Sequence, residues 1–143
     1  MFFPKSTLVA LTLAALAQFT SAAPLEGDNN QSQAPIVARA FTGDMTYYNT
    51  GLGACGKTSN DNQLVVALNK IKFDPKTPNG NPNKNTLCGK KIKVNYQGKS
   101  VTVTIVDRCP GCKANDLDLS PAAFKKLAPL EKGRIKATWD YVN

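Results

Sequence analysis

The chain has 143 residues with 18 basic and 10 acidic side chains, and its formal net charge is +8. It contains no histidine, which excludes Ser-His-Asp and Cys-His catalysis and leaves carboxylates as the acid–base groups. The sequence carries neither of the common glycine-rich phosphate loops nor a cofactor fingerprint, so we expect no cofactor.

The first 22 residues have the pattern of a secretory signal peptide. Lys5 precedes an apolar run at 8–16, which is shorter than the ~20 apolar residues that cross a bilayer. The small residues Thr20-Ser21-Ala22 suit signal peptidase, which predicts cleavage near Ala22 or Ala23. We therefore expect a secreted, extracellular protein that has no membrane partner.

Residues 23–40 are polar and without periodicity, which predicts a flexible leader or propeptide. They include the sequon Asn30-Gln31-Ser32, so Asn30 is a candidate glycosylation site if the segment is retained.

The folded domain is predicted at 41–143. Removing residues 1–22 removes one lysine and leaves +7 (17 basic minus 10 acidic residues). In a secreted protein this charge favours an acidic polysaccharide or wall surface over nucleic acid, although it would also serve solubility alone.

Five strands are predicted from apolar alternation or short apolar runs, at 45–49, 64–68, 91–96, 101–107 and 135–142. A long surface loop is predicted at 73–85, which is rich in Pro, Gly and Asn, and Gln97-Gly98 is predicted to close a hairpin. Ser120 as N-cap and Pro121 as first helical residue predict one short helix, which Pro129 limits to about two turns. Short strands with one short helix indicate a small closed or half-closed β-barrel.

The four cysteines are Cys55, Cys88, Cys109 and Cys112. An even number in a short secreted chain predicts disulfides, and four cysteines allow three pairings, which spacing does not separate. The alternative is a zinc site with four thiolates. A second CxxC pair and histidine are both missing from the sequence, so we expect no metal.

Two aspartates are the candidate catalytic residues. Asp107 ends an apolar strand, and Asp118 lies between two leucines just before the predicted helix. Partial desolvation would raise the pKa of such a carboxyl, as a general acid at a glycosidic bond requires. The alternatives are a turn residue or a partner of Arg108 for Asp107, and a capping role for Asp118.

Five segments in order resemble the double-psi β-barrel domain of expansins: Gly43-Asp44-Met45-Thr46-Tyr47-Tyr48, Gly53-Ala54-Cys55-Gly56, Leu87-Cys88-Gly89-Lys90, Val101-Thr102-Val103-Thr104-Ile105-Val106-Asp107-Arg108-Cys109 and Asp118-Leu119-Ser120-Pro121-Ala122-Ala123-Phe124. Bacterial rare lipoprotein A, barwin-type plant defence proteins and family 45 endoglucanases share this barrel. The sequence is most similar to fungal single-domain expansin-related proteins, the loosenins. The resemblance implies an all-β, six-stranded, disulfide-braced double-psi barrel with an open groove.

The resemblance also implies roles for single residues. Asp118 matches the aspartate that expansins require for wall loosening, and Asp107 matches a second aspartate of the groove. Thr46 and Tyr48 match groove-lining residues beside that acid. Tyr47 and Asn49 are further substrate-binding candidates, although strand alternation predicts that one of the two tyrosines points into the core.

Cysteine pairing is implied by the same resemblance. The Gly-Ala-Cys-Gly and Cys-Gly motifs match a pair that is disulfide-linked in plant expansins, which favours Cys55–Cys88. That choice leaves Cys109–Cys112 as the second bridge.

The sequence departs from the hydrolases of this barrel type at Tyr48-Asn49-Thr50, where family 45 endoglucanases carry a second catalytic aspartate. The first hypothesis is therefore a monomeric protein that binds β-glucan, cellulose or chitin and loosens the wall without hydrolysis. The second is an inhibitor or effector whose partner is a secreted cysteine protease, with 73–85 as a contact loop. The third is a lytic glycan-cleaving enzyme, which can operate with one acid.

Overall fold

The computed structural model describes residues 40–143. The predicted signal peptide, all but the last residue of the predicted leader and the Asn30 sequon lie outside the described residues. The elements are β1 (Phe41–Tyr47), β2 (Val65–Asn69), α1 (Lys70–Phe73), β3 (Lys91–Tyr96), β4 (Lys99–Cys109), β5 (Leu117–Leu119), α2 (Pro121–Leu127) and β6 (Ile135–Val142). No helix within 40–143 has the length and apolar character needed to span a bilayer.

The six strands close into a barrel in the order β1-β5-β2-β4-β3-β6. Two neighbouring pairs are parallel, β1 with β5 and β2 with β4, and the other four are antiparallel. Closure leaves no strand edge free to pair with another chain. The predicted fold, an all-β six-stranded barrel with a short helix and disulfides, is confirmed.

The barrel interior is filled by the apolar residues that alternate along the strands. Ile92 and Val94 of β3 face Val103 and Val101 of β4 across the predicted hairpin, and all four are buried. Trp139 is fully buried, and its indole N–H donates to the carbonyl oxygen of Asn115 over 2.7 Å.

The predicted strands at 64–68 and 101–107 are shifted or extended by one or two residues, to Val65–Asn69 and Lys99–Cys109, and two other strands differ more. The first was expected at 45–49 but spans Phe41–Tyr47, because residues 41–45 pair with β6 and residues 45–47 pair with β5. The strand Leu117–Leu119 was not predicted. It has only three residues, and it is defined by the ladders it forms with β1 and β2 rather than by a local pattern.

The predicted surface loop at 73–85 is anchored at both ends. The single turn α1, which was not predicted, leads into it, and its last residue, Phe73, is fully buried. Asn85 is also buried; its Nδ2 donates to the carbonyl oxygen of Phe73 and to Thr77 Oγ1, both over 2.7 Å. Three short 3-10 turns between these anchors keep the loop compact.

Helix α2 begins as predicted. Ser120 Oγ accepts the backbone N–H of Ala123 over 3.3 Å, which caps the first turn, and Pro121 is the first helical residue. Ser120 also donates to the carbonyl oxygen of Gln63, which ties the helix to the loop before β2. Phe124 and Leu127 are buried against the barrel.

The cysteines form two disulfides, Cys55–Cys88 and Cys109–Cys112, which are the pairings that the resemblance implied. Cys55–Cys88 joins the loop after β1 to the segment that precedes β3. The second closes a short loop directly after β4. Since all four cysteines are paired, none supplies a thiol nucleophile.

Candidate functional site

Thr46 and Asp118 are joined on the outside of the barrel. They are Cα partners in the parallel pairing of β1 with β5. Their neighbours Met45, Leu117 and Leu119 are buried in the core, so alternation turns Thr46 and Asp118 outward. The Thr46 hydroxyl donates to Asp118 Oδ1 over 2.8 Å.

The pKa of Asp118 is raised above its ordinary value. Burial is the main cause, because a desolvated carboxyl resists ionisation, and the negative charge of Asp107 adds to it. The Thr46 hydrogen bond and the positive charge of Arg134 act in the opposite direction and lower the pKa without cancelling the effect of burial. Asp118 therefore keeps its proton to higher pH than an exposed aspartate and can donate it to a bound oxygen.

Asp107 and Asp118 lie at one level of the barrel. Ala67, buried on β2, is the Cα partner of Asp107 on β4 and also of Asp118 on β5. The two aspartates are thus on the strands that flank β2, about 10 Å apart at their Cα atoms if neighbouring strands lie about 4.8 Å apart. The position of Ala67 between them was not identified from the sequence.

Asp107 is held in place by backbone groups. Its Oδ1 accepts the N–H of Ala54 and the N–H of Arg108, both over 2.8 Å. The proposed pairing with the Arg108 side chain is not found, because that guanidinium binds both carboxylate oxygens of Asp74, over 2.6 and 2.8 Å.

Gly53 lets the loop after β1 approach Asp107. A Cβ at this position would lie 2.3 Å from the carbonyl oxygen of Val106 and 3.2 Å from Cβ of Asp107. The same Val106 oxygen accepts the N–H of Cys55 over 3.1 Å. A glycine is therefore required for the loop to lie against β4 and to present the Ala54 N–H to Asp107.

Tyr48 lies close enough to both aspartates for their charges to act on its phenol. Burial, followed by the negative charges of Asp107 and Asp118, raises the pKa of Tyr48 well above its ordinary value. Tyr48 therefore stays a neutral hydrogen-bond donor at all physiological pH values. Its backbone N–H donates to the carbonyl oxygen of Leu119 over 3.0 Å, which fixes the residue beside β5.

We call Thr46, Tyr48, Asp107 and Asp118 the carboxylate site. Tyr47 and Asn49 are not part of it. The Tyr47 ring packs at 5.0 Å from the ring of buried Phe124 and stays 36% exposed, so it is turned toward the core without entering it. Tyr47 and Asn49 line a neighbouring cleft of about 580 Å³ between the 49–62 loop and α2.

Asp61 is a further carboxylate that sequence reasoning missed. Its Oδ1 accepts the Thr50 N–H over 2.7 Å and the Thr50 hydroxyl over 3.0 Å, and its Oδ2 accepts Asn49 Nδ2 over 2.9 Å. These bonds lower the pKa of Asp61, with the backbone N–H of Thr50 as the main cause. Its charge also raises the pKa of Tyr48. Asp61 lies in an exposed loop without periodicity, so no sequence signal marked it.

A basic pair, Arg134 and Lys136, lies near the carboxylate site. Arg134 and Lys136 both bind the carboxylate of Asp44 over 3.2 Å, and together they lower its pKa. Arg134 is also the positive charge that lowers the pKa of Asp118. The site thus combines a protonatable acid, a fixed carboxylate and a neutral phenol beside a guanidinium, a set suited to binding hydroxyl groups. Residues 40–143 hold no cluster of three His, Cys, Asp or Glu that could bind a metal.

The sequence is similar to characterised proteins. It is 39% identical over 110 residues to a papain inhibitor of Streptomyces mobaraensis, covering 74% of each chain. It is 37% identical over 86 residues to an Asp f 7 allergen homologue of Arthroderma benhamiae, of which it spans only 28%, while 60% of this chain is covered.

Solved structures show the same barrel. The structure of the Streptomyces papain inhibitor matches with a TM-score of 0.68 at 41% identity, covering 74% of this chain and 96% of that one. A Clavibacter michiganensis expansin, solved as a point mutant in complex with cellohexaose, matches with a TM-score of 0.62 at 23% identity, covering 73% of this chain and 51% of that one.

A family model described as lytic transglycolase, whose fold is the double-psi β-barrel, matches residues 40–139. The match spans β1 to β5, the first five residues of β6, both disulfides and the carboxylate site. This chain therefore belongs to the double-psi β-barrel family described as lytic transglycolase.

Proposed function

We propose that the protein is secreted and that it binds a strand of cell-wall polysaccharide at the carboxylate site and loosens the wall without hydrolysing it, as loosenin-like expansin relatives do. One observation carries the proposal: Asp107 and Asp118 flank Ala67 at one level of the barrel, on the two strands that neighbour β2. β-Glucan, cellulose and chitin are the ligands considered.

The chemistry of the three side chains supports sugar binding. Asp118, whose raised pKa favours its protonated form, and neutral Tyr48 are placed to donate hydrogen bonds to sugar oxygens, while the Asp107 carboxylate accepts from sugar hydroxyls. A polysaccharide chain held by these side chains would lose hydrogen bonds to neighbouring polysaccharide chains in the wall. The expansin solved with cellohexaose provides a precedent for glucan binding on this fold.

Hydrolysis is disfavoured by the state of the other carboxylates. An inverting hydrolase needs a base that activates water about 6.5–9.5 Å from the acid. Asp61 is engaged by three donors, and Asp107 Oδ1 is engaged by two. Asp61 therefore has a donor on each of its oxygens, whereas the backbone donors of Asp107 engage Oδ1 alone. Asp107 is thus the carboxylate that a hydrolytic mechanism would have to use as its base, and the sugar-release assay tests that role.

Secretion is supported by the N-terminal signal pattern and by the two disulfides, which persist in oxidising compartments.

Inhibition of a papain-like protease is the second candidate function. It is favoured by the 41% identity to the Streptomyces papain inhibitor, across 96% of that chain. The exposed Leu52 and the anchored loop at 73–85 are the surfaces we assign to a protease partner. This function does not require the carboxylate site.

The test compares Asp118→Asn with Asp140→Asn, which removes one acidic charge from β6 outside the carboxylate site. Three quantities are measured: the force needed to break cellulose and chitin fibres, the release of soluble sugar, and the inhibition of papain.

Fibre weakening that is lost in Asp118→Asn, kept in Asp140→Asn and not accompanied by sugar release supports wall loosening. Sugar release that depends on Asp118 would overturn it in favour of lytic cleavage, for which the raised pKa of Asp118 is also suited. Papain inhibition by both variants, without any effect on fibres, would establish the second candidate instead.

A further inference from the structure

A second cleft lies on the outer surface of the barrel, away from the carboxylate site. Its volume is about 580 Å³, and it crosses the four neighbouring strands β4, β3, β6 and β1. None of the four residues of the carboxylate site lines it; the lining residues are Thr42, Lys93, Asn95, Tyr96, Gln97, Gly98, Lys99, Ser100, Lys136, Ala137 and Thr138.

The floor of this cleft is a row of small polar side chains in register. Ser100 is the Cα partner of Asn95, Asn95 is the partner of Thr138, and Thr138 is the partner of Thr42. Four strands at about 4.8 Å spacing make this row about 14 Å long. The row presents hydroxyl and amide groups, which both donate and accept hydrogen bonds, to a ligand that lies across the strands.

The walls of the cleft are positively charged. Lys93, Lys99 and Lys136 line it, and no acidic residue does. Neither Lys93 nor Lys99 is in an ion pair with any residue of 40–143, whereas Lys136 binds Asp44. Asp140 is the partner of Lys93 across the β3–β6 ladder, but it does not line the cleft. Two ammonium groups are therefore available for an anionic ligand.

We propose that this cleft binds a carboxylate-bearing polysaccharide, such as a polyuronate, along the polar row. Hydroxyl and amide groups in a line suit the hydroxyls of successive sugars, and the lysines suit their carboxylates. Tyr96, which packs against the core and is partly exposed, closes one end of the lining. The cleft contains no arginine, the residue that favours bidentate recognition of phosphate, so the observations favour a glycan over a nucleic acid.

The cleft and the carboxylate site are independent of each other, because they share no residue. Thr42 and Thr46 are both on the outward row of β1, separated by about 13 Å and by the ion pairs of Asp44. A variant of either site therefore leaves the side chains of the other in place.

The test measures binding of polygalacturonate, and of its methyl-esterified neutral form, by isothermal titration calorimetry. The variant Lys93→Gln/Lys99→Gln is compared with Lys84→Gln/Lys113→Gln, which removes the same charge from exposed loop positions outside the cleft. Asp118→Asn is included to separate the two sites. Circular dichroism confirms that each variant is folded.

We expect the cleft variant to bind polygalacturonate about tenfold more weakly, and the control variant and Asp118→Asn to stay within about twofold of the parent, with binding that weakens as salt is added. In nuclear magnetic resonance, the amide signals of Ser100 and Thr138 should shift on titration.

Equal weakening in the two lysine variants would show that only net charge matters and would overturn the proposal. So would equal affinity for the methyl-esterified polymer, tighter binding of a single-stranded oligonucleotide than of polygalacturonate, or shifts confined to the residues around Asp118. If Asp118→Asn no longer weakens fibres but still binds polygalacturonate, the result bears on the proposed function at the carboxylate site and leaves the cleft proposal standing.

Discussion

The hydroxyl of Thr46 donates a hydrogen bond to Oδ1 of Asp118 over 2.8 Å, from one strand of a parallel pair to the other. The bond orients the one carboxyl in the site whose pKa burial raises. It also favours the ionised form of that carboxyl, so Thr46 limits how far burial can raise the pKa.

Thr46→Val is expected to raise the pKa of Asp118 further, because valine keeps the shape of threonine but donates no hydrogen bond to the carboxylate. The measurement is a carboxyl-carbon titration by nuclear magnetic resonance. Thr102→Val, an exposed position on β4, is the control and should leave the Asp118 titration unchanged. An Asp118 pKa that falls or stays the same in Thr46→Val would contradict the assignment.

Asp118→Asn is expected to gain stability relative to the parent as pH rises. The folded pKa of Asp118 lies above its unfolded value, so its contribution to stability is complete below the unfolded pKa and is lost as pH rises through the folded pKa. Asparagine does not ionise and escapes this loss. Calorimetry should therefore show the difference in Tm, variant minus parent, becoming more positive between about pH 3 and pH 7. A constant difference across that range would show that burial does not perturb this carboxyl.

Gly53→Ala is expected to lower the free energy of unfolding by about 1–3 kcal/mol, the usual cost of overpacking. The new Cβ would lie 2.3 Å from the carbonyl oxygen of Val106, a backbone atom that moves only if β4 or the loop moves. Gly51→Ala is the matched control, because its Cβ would have no neighbour within 4 Å. Urea unfolding measures both, and equal effects would refute the close approach of this loop.

Removal of Cys55–Cys88 is expected to cost more than removal of Cys109–Cys112. The sequence separations are 33 and 3 residues, and loop-closure entropy corresponds to about 4 kcal/mol for the long loop and about 2 kcal/mol for the short one. The double serine variants are compared with the parent by urea unfolding under non-reducing conditions. The reverse order would show that the short bridge carries structure that its loop length does not explain.

Sequence patterns within a few residues predicted those helices and strands that are specified by residues close together in the chain. The hairpin of β3 and β4, the capped helix at Ser120 and the strand β6 all have alternation, capping or turn residues within a few positions. Leu117–Leu119 has none of these, because a three-residue strand is stabilised by its two neighbours. Asp61 is a similar case, since its role is set by Asn49 and Thr50 across a loop.

The order of residues alone determined an apolar alternation that closes one small barrel, four cysteines able to brace it, and an acid–base repertoire restricted to carboxylates. It also determined that Asp118 lies between two leucines just before a capped helix, whereas its outward direction came from the unpredicted strand Leu117–Leu119. Only the tertiary structure decided that Asp107 and Asp118 share Ala67 as a partner, that Tyr48 rather than Tyr47 lies close to them, and that lysines distant in sequence line one cleft. The physical reason is that pairing between strands far apart in the chain sets the register, and register determines which outward side chains meet.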